Sequence, residues 1–217
     1  MSIFEFITLA FPAIFFILNP FSASTVFLSL TPTKTDEERK GIAKRACLTA
    51  FFVLFFFIIS GHLIFKIFNI SIPAFRIAGG IIIFTIGMNM LRLQPIRIKQ
   101  TDEEVQASLM RTDVGVIPLG IPIMSGPGAI TTVIVLMGNT TSLLEVGVLV
   151  ACAAVSIAII YYILIHSTKL LDLIKVTGMG ILTRVMGLII CVIAAQFFIN
   201  GIKDLLPEFA RLLMQAR

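Results

Sequence analysis

Six apolar runs without a single Asp, Glu, Lys or Arg dominate this 217-residue chain: Phe6 to Leu30, Ala46 to Phe65, Ile77 to Leu91, Val114 to Met137, Val146 to Ile165 and Val185 to Ile202. A bilayer core about 30 Å thick is crossed by about 20 apolar residues of helix, because in hydrocarbon a segment must satisfy its own backbone N–H and C=O groups. The runs therefore predict an all-α, polytopic membrane protein with six transmembrane helices. The third run is short for a span unless it extends back through Arg76.

Composition fits a chain that needs lipid around it. Hydrophobic residues make up 58% and charged residues 13%, with a mean hydropathy of +1.03, whereas soluble domains carry roughly 25% charge. No polar stretch is long enough to build a soluble unit, so residues 1–217 read as one transmembrane domain. The net charge of +5 does not point to nucleic acid, since the 17 Lys and Arg sit in short loops between apolar runs, where they orient helices. The N-terminus lacks a basic region and a small-residue cleavage pattern, so the first run is expected to stay as a helix. Cys47, Cys152 and Cys191 all fall inside apolar runs with no C-x-x-C pair and read as buried small hydrophobes.

Residues 92–113 form the longest polar segment, with Gln94, Pro95, Arg97, Lys99, Asp102, Glu103, Glu104 and Arg111. This places a cytoplasmic linker at about 93–113 between a first repeat of about 1–92 and a second of about 114–205. The loops one-to-two, three-to-four and five-to-six hold twelve Lys and Arg against five in the alternate loops and tails. By the positive-inside rule both termini are expected outside the cytoplasm. Pro20 and Pro127 stand 107 residues apart, and Arg76-Ile-Ala-Gly79 recurs as Arg184-Val-Met-Gly187 at a spacing of 108. Three spans per half is an odd number, so the second half enters the membrane from the opposite side. The expected architecture is two inverted three-helix repeats.

The first and fourth spans are interrupted about halfway, at Asn19-Pro20 and at Ser125-Gly126-Pro127-Gly128. Proline has no N–H and clashes with the preceding turn, and glycine tolerates non-helical dihedrals, so both helices should open locally. The freed backbone groups survive at membrane depth only in protein or facing water, and Ser22, Ser24, Thr25, Ser125, Thr131 and Thr132 put hydroxyls nearby. A polar cavity at the midplane follows. Half-helix N-termini there would present N–H groups to the carboxylate of an anionic or zwitterionic solute. The candidate substrate-binding set is Asn19, Pro20, Ser22, Thr25, Ser125, Gly126, Pro127, Gly128, Thr131 and Thr132. The plainer alternative is that both breaks merely kink helices for packing.

Arg76 and Arg184 open the third span of each half and are candidates for gating or for pairing with an anion or a half-helix carbonyl end. Snorkelling to the interface is the bland alternative. Asn89 and Gln196, toward the far ends of the third and sixth spans, read as hydrogen-bonding neighbouring helices. No carboxylate lies within a span, so no relay of buried Asp or Glu is visible. The two histidines, His62 and His166, are far apart in sequence and near no nucleophile motif or metal-ligand spacing, so neither an enzyme, a metal site nor a cofactor is expected.

The segments Ala74-Phe75-Arg76-Ile77-Ala78-Gly79-Gly80-Ile81 and Ile117-Pro118-Leu119-Gly120-Ile121-Pro122-Ile123-Met124-Ser125-Gly126-Pro127-Gly128-Ala129-Ile130 resemble the MarC family of bacterial inner-membrane proteins. Asn19-Pro20, Phe27 and Leu30-Thr31 before Glu38-Arg39 extend the likeness over the whole chain. That family usually places a glycine two positions after the first proline and a second proline further on, where this chain has Ser22 and Thr25. The family is similar to the LysE-type amino-acid exporters, and some members are described as carrying glycine and alanine. The resemblance thus implies an inner-membrane secondary transporter of small neutral amino acids, partnered only by its solute and the lipid bilayer. Two alternatives remain open from the residues: a membrane thiol electron carrier using Cys47 and Cys152, which fall in equivalent spans, and a non-transporting structural factor.

Overall fold

The first apolar run enters as a helix because Ser2 and Glu5 form a reciprocal cap. The Ser2 hydroxyl accepts from the Glu5 N–H at 3.2 Å and the Glu5 carboxylate accepts from the Ser2 N–H at 2.8 Å. The computed structural model describes residues 2–67, 69–93 and 115–215. Its elements are α1 (Ile3–Ile17), α2 (Pro20–Leu30), α3 (Asp36–Ile67), α4 (Ile72–Leu91), α5 (Gly115–Met124), α6 (Pro127–Met137), α7 (Leu143–Ile165) and α8 (Ser167–Gln215). Among the described residues the fold is all helix. The expected linker at 93–113 lies outside them except for Leu93.

Similar caps start α3, where Thr35 and Glu38 bond reciprocally, and α7, where Ser142 accepts from the Glu145 N–H. Ser71 caps α4 by accepting from Ala74, so that helix begins at Ile72 and carries Arg76 in its second turn, which lengthens the short third run to 20 residues. Among the described residues five spans are long and apolar enough to cross a membrane: Ile3–Leu30, which joins α1 and α2 end to end, Asp36–Gly61 in α3, α4, α7 and Ser167–Leu206 in α8. The shorter apolar α6, preceded by α5, stands where the remaining expected crossing falls. Only 28–44% of each long span's most apolar window is buried inside the protein, so most of its surface requires lipid. The stripe Phe52, Phe56, Ile59 and Leu63 on α3, each more than half exposed, is such a face.

One helix does not wind as its sequence suggested. α5 is a π-helix over its ten residues, and the Ser125 N–H closes onto the Gly120 carbonyl five residues back at 3.0 Å. Pro118 and Pro122 fall within its sequence, and proline has no N–H to give to a regular α-helical ladder. α8 is likewise bent at Lys175, whose φ of 59° and ψ of 170° are not helical.

The halves meet along an antiparallel seam between α4 and α8. A Cβ placed on Gly80 would lie 2.9 Å from the Ala194 carbonyl, and one on Gly187 would lie 2.8 Å from the Gly87 carbonyl. Adding 107 turns Gly80 into Gly187 and Gly87 into Ala194, so the two contacts are copies of each other related by a twofold axis. The axis passes between Phe84 and Cys191, also 107 apart, where the thiol points to the Phe84 carbonyl at 3.8 Å. Close backbone approach through small residues is how helices associate in lipid, where no hydrophobic force draws them together.

Candidate functional site

Both breaks form where they were expected, by different local chemistry. At the first, Asn19 adopts the left-handed conformation, φ 48° and ψ 68°, which asparagine tolerates better than most residues. Its side chain then caps α2: Oδ1 accepts from the Ser22 N–H at 3.3 Å and Nδ2 donates to the Ser22 hydroxyl at 2.8 Å. Pro20 takes the first helical position, where its missing N–H costs nothing. Replacing Asn19 by Ala removes the cap and keeps the strained φ, each costing about 1 kcal/mol. Asn19→Ala is accordingly expected to lower the unfolding temperature in detergent while Asn19→Gly stays closer to the parent. Equal melting of the two variants would show that the left-handed φ at this position carries no strain.

At the second break Gly126 is extended, φ −70° and ψ 177°, Pro127 starts α6, and no side chain caps the helix. The first-turn N–H groups of Gly128 and Ala129 thus lack the partner that Asn19 gives α2, and they carry the positive end of the helix dipole. Ile17, the last residue of α1, reaches them. A Cβ on Gly128 would lie 3.3 Å from the Ile17 Cδ1 and 2.3 Å from the Ile86 Cδ1 of α4. The start of α6 therefore faces the end of α1, and the two interruptions share one locus.

Asn19, Pro20, Ser125, Gly128 and Thr132 are buried at or next to the breaks, and Ser22 and Gly126 are half-buried. The Ser125 hydroxyl donates to the Gly120 carbonyl at 2.8 Å, and that of Thr132 to the Gly128 carbonyl at 2.8 Å. Each hydroxyl spends its proton on its own chain and keeps its lone pairs. Thr131 is buried, but its methyl lies 3.0 Å from where a Gly79 Cβ would stand, so it helps wedge α6 against α4. Pro127 and Thr25 are exposed, and Thr25 donates to the Phe21 carbonyl at 3.1 Å.

Arg76 is not at the breaks. Ile86, which touches Gly128, is ten residues further along α4, about 15 Å at 1.5 Å per residue. Its guanidinium donates to the Asp204 carboxylate of α8 and to the Asn139 side-chain carbonyl in the turn after α6, and its Nε is buried with no partner among the described residues. Neither snorkelling nor contact with a solute at the midplane describes this group. Arg184 is exposed. Asp204 and Asn139 carry no signal in the sequence, because they lie 128 and 63 residues from Arg76 and only the fold unites them. Gln196 donates to Asn200 of its own helix at 2.7 Å rather than to a neighbour. Cys47, Cys152 and Cys191 are buried free thiols.

The comparisons with known proteins agree on one family. The sequence profile described as MarC family integral membrane protein matches residues 4–206. A UPF0056 membrane protein of Aquifex aeolicus is 37% identical over 200 residues, covering 92% of this chain and 93% of its own. The UPF0056 membrane protein YvbG of Bacillus subtilis is 37% identical over 94% of this chain and 97% of its own, and YhcE of Escherichia coli 33% identical over 91% and 92%. No solved structure matches. With a profile that spans nearly all its length and relatives as long as itself, this chain belongs to the MarC family of integral membrane proteins.

Proposed function

We propose that this protein is a secondary transporter of small neutral amino acids of the glycine and alanine kind, held at mid-membrane between its two broken helices. The observation that carries the reading is the meeting of the two breaks, with Gly128 of α6 against Ile17 of α1. The uncapped N–H groups of Gly128 and Ala129 suit a carboxylate, and the carbonyl ends of α1 and α5 suit an ammonium group. Ile17 and Ile86 press on the same locus, which favours a solute with a small side chain or none. The names of the relatives say membrane protein and nothing about a solute. We place the chain in the bacterial inner membrane with both termini on the periplasmic side, on the excess of Lys and Arg in the three alternate loops.

The test is uptake and efflux of labelled glycine, alanine and serine in proteoliposomes of the purified protein, under sodium, proton and no gradient. Saturable counterflow of glycine and alanine, not blocked by excess leucine or phenylalanine, is expected. Absence of flux under every gradient sinks the amino-acid reading.

A further inference from the structure

The two halves share a fold but not a conformation. In α6 Gly128, Ala129 and every residue from Thr131 to Met137 are buried. In α2, its counterpart 107 residues earlier, only Pro20, Ala23, Ser24 and Phe27 are. Ser22, Thr25 and Ser29 lie three and four residues apart, hence on one side of α2, and that side is half-buried at Ser22 and exposed at the other two. The hydroxyl-bearing side of α2 is thus uncovered where the corresponding helix α6 is covered.

The closed half is held by a specific device. Arg76 ties the start of α4 to Asn139, just beyond α6, and to Asp204 on α8. Beneath this tie, Gly79 lets α6 lie against α4, a Cβ there falling 2.7 Å from the Val135 side chain, and Gly138 abuts Ile72. Arg184, the arginine of the second Arg-x-x-Gly, lies toward the other end of the seam between α4 and α8 and is exposed, with no hydrogen bond or ion pair to any described residue. The buried Nε of Arg76 has no partner while the latch is shut, so opening to water would satisfy it and offset part of what the broken bonds cost.

Resting on the midplane site proposed above, we infer that Arg76, with Asp204 and Asn139, is the gate on the face that carries the termini, closed here, so that the site is reached only along α2 from the opposite face. Inverted repeats alternate access when the halves exchange conformations, so Arg76 is a positioning residue whose release biases that exchange.

The test uses a thiol at the first break. In a background with Cys47, Cys152 and Cys191 changed to Ala, Ser22→Cys is labelled with a membrane-impermeant methanethiosulfonate, in sealed vesicles of either orientation. The parent is expected to react only from the face of the α2–α3 loop. Arg76→Gln and Asp204→Asn are expected to raise labelling from the termini's face by about tenfold or more, and Arg184→Gln to leave the parent pattern. Labelling of the parent from the termini's face, or well-folded Arg76→Gln and Asp204→Asn that stay closed there, overturns the gate while leaving the site in place. No labelling from either face in any variant removes the midplane site itself. If the single variants fail to fold, the swapped pair Arg76→Asp with Asp204→Arg restores the ion pair and must show the one-sided pattern, and loss of that pattern overturns the gate.

Discussion

Replacing Gly128 by Leu is expected to abolish flux in proteoliposomes while the protein still inserts and elutes as a folded species. The reason is steric. The space where a side chain would start is taken by the Ile86 Cδ1 at 2.3 Å and the Ile17 Cδ1 at 3.3 Å, on the spot where α6 offers its uncapped N–H groups. Overpacking of this kind costs about 3 kcal/mol, which if borne by solute binding is roughly a hundredfold. Gly128→Ala should be milder, about tenfold or less, because the nearest obstacle is the tip of a side chain that can rotate away. A Leu variant with parental flux would move the binding site elsewhere. Flux lost equally in Ala and Leu would mean that the backbone, not the space, is what Gly128 supplies.

The second large effect concerns the seam. Gly187→Leu is expected to destabilise the protein by about 3 kcal/mol or more, against a typical net stability of about 5–15 kcal/mol, and to leave little folded material. Here the neighbours are backbone. A Cβ on Gly187 would lie 2.8 Å from the Gly87 carbonyl and 3.1 Å from the Leu91 N–H, with the Met90 Cβ also at 2.8 Å. No rotamer relieves such contacts, so α4 and α8 would have to separate. Gly147, whose Cβ would meet nothing within 4 Å, is the control, and Gly147→Leu should melt close to the parent. The check is gel filtration after a heating series in detergent. A Gly187→Leu protein that melts with the parent would show that the halves are not joined through α4 and α8.

These two glycines also mark how far the residues could be read in advance. Gly128 stood out because Gly and Pro sit together in the middle of an apolar run, and that pattern names a break wherever it occurs in a span. Gly187 stood out only as part of a repeated Arg-x-x-Gly. That it faces Gly87, and that this contact mirrors the one between Gly80 and Ala194, depends on how two distant helices cross. The π-winding of α5 was missed because the spacing of Pro118 and Pro122 forbids regular α-helical bonding without saying what replaces it.

What the sequence settled on its own is whatever follows from hydrocarbon as a solvent. Apolar runs of span length had to become helices, breaks had to fall at Asn19-Pro20 and Gly126-Pro127, and three spans per half had to invert the repeat. These are local or one-dimensional constraints, legible from order and spacing. Tertiary structure alone decided that the breaks meet through Ile17 and Gly128, that Arg76 reaches Asp204 and Asn139 rather than the midplane, and that α6 is buried where α2 is open. Each of those depends on which helix faces which, and in lipid that choice rests on close packing of small residues and a few polar contacts between segments far apart in the chain.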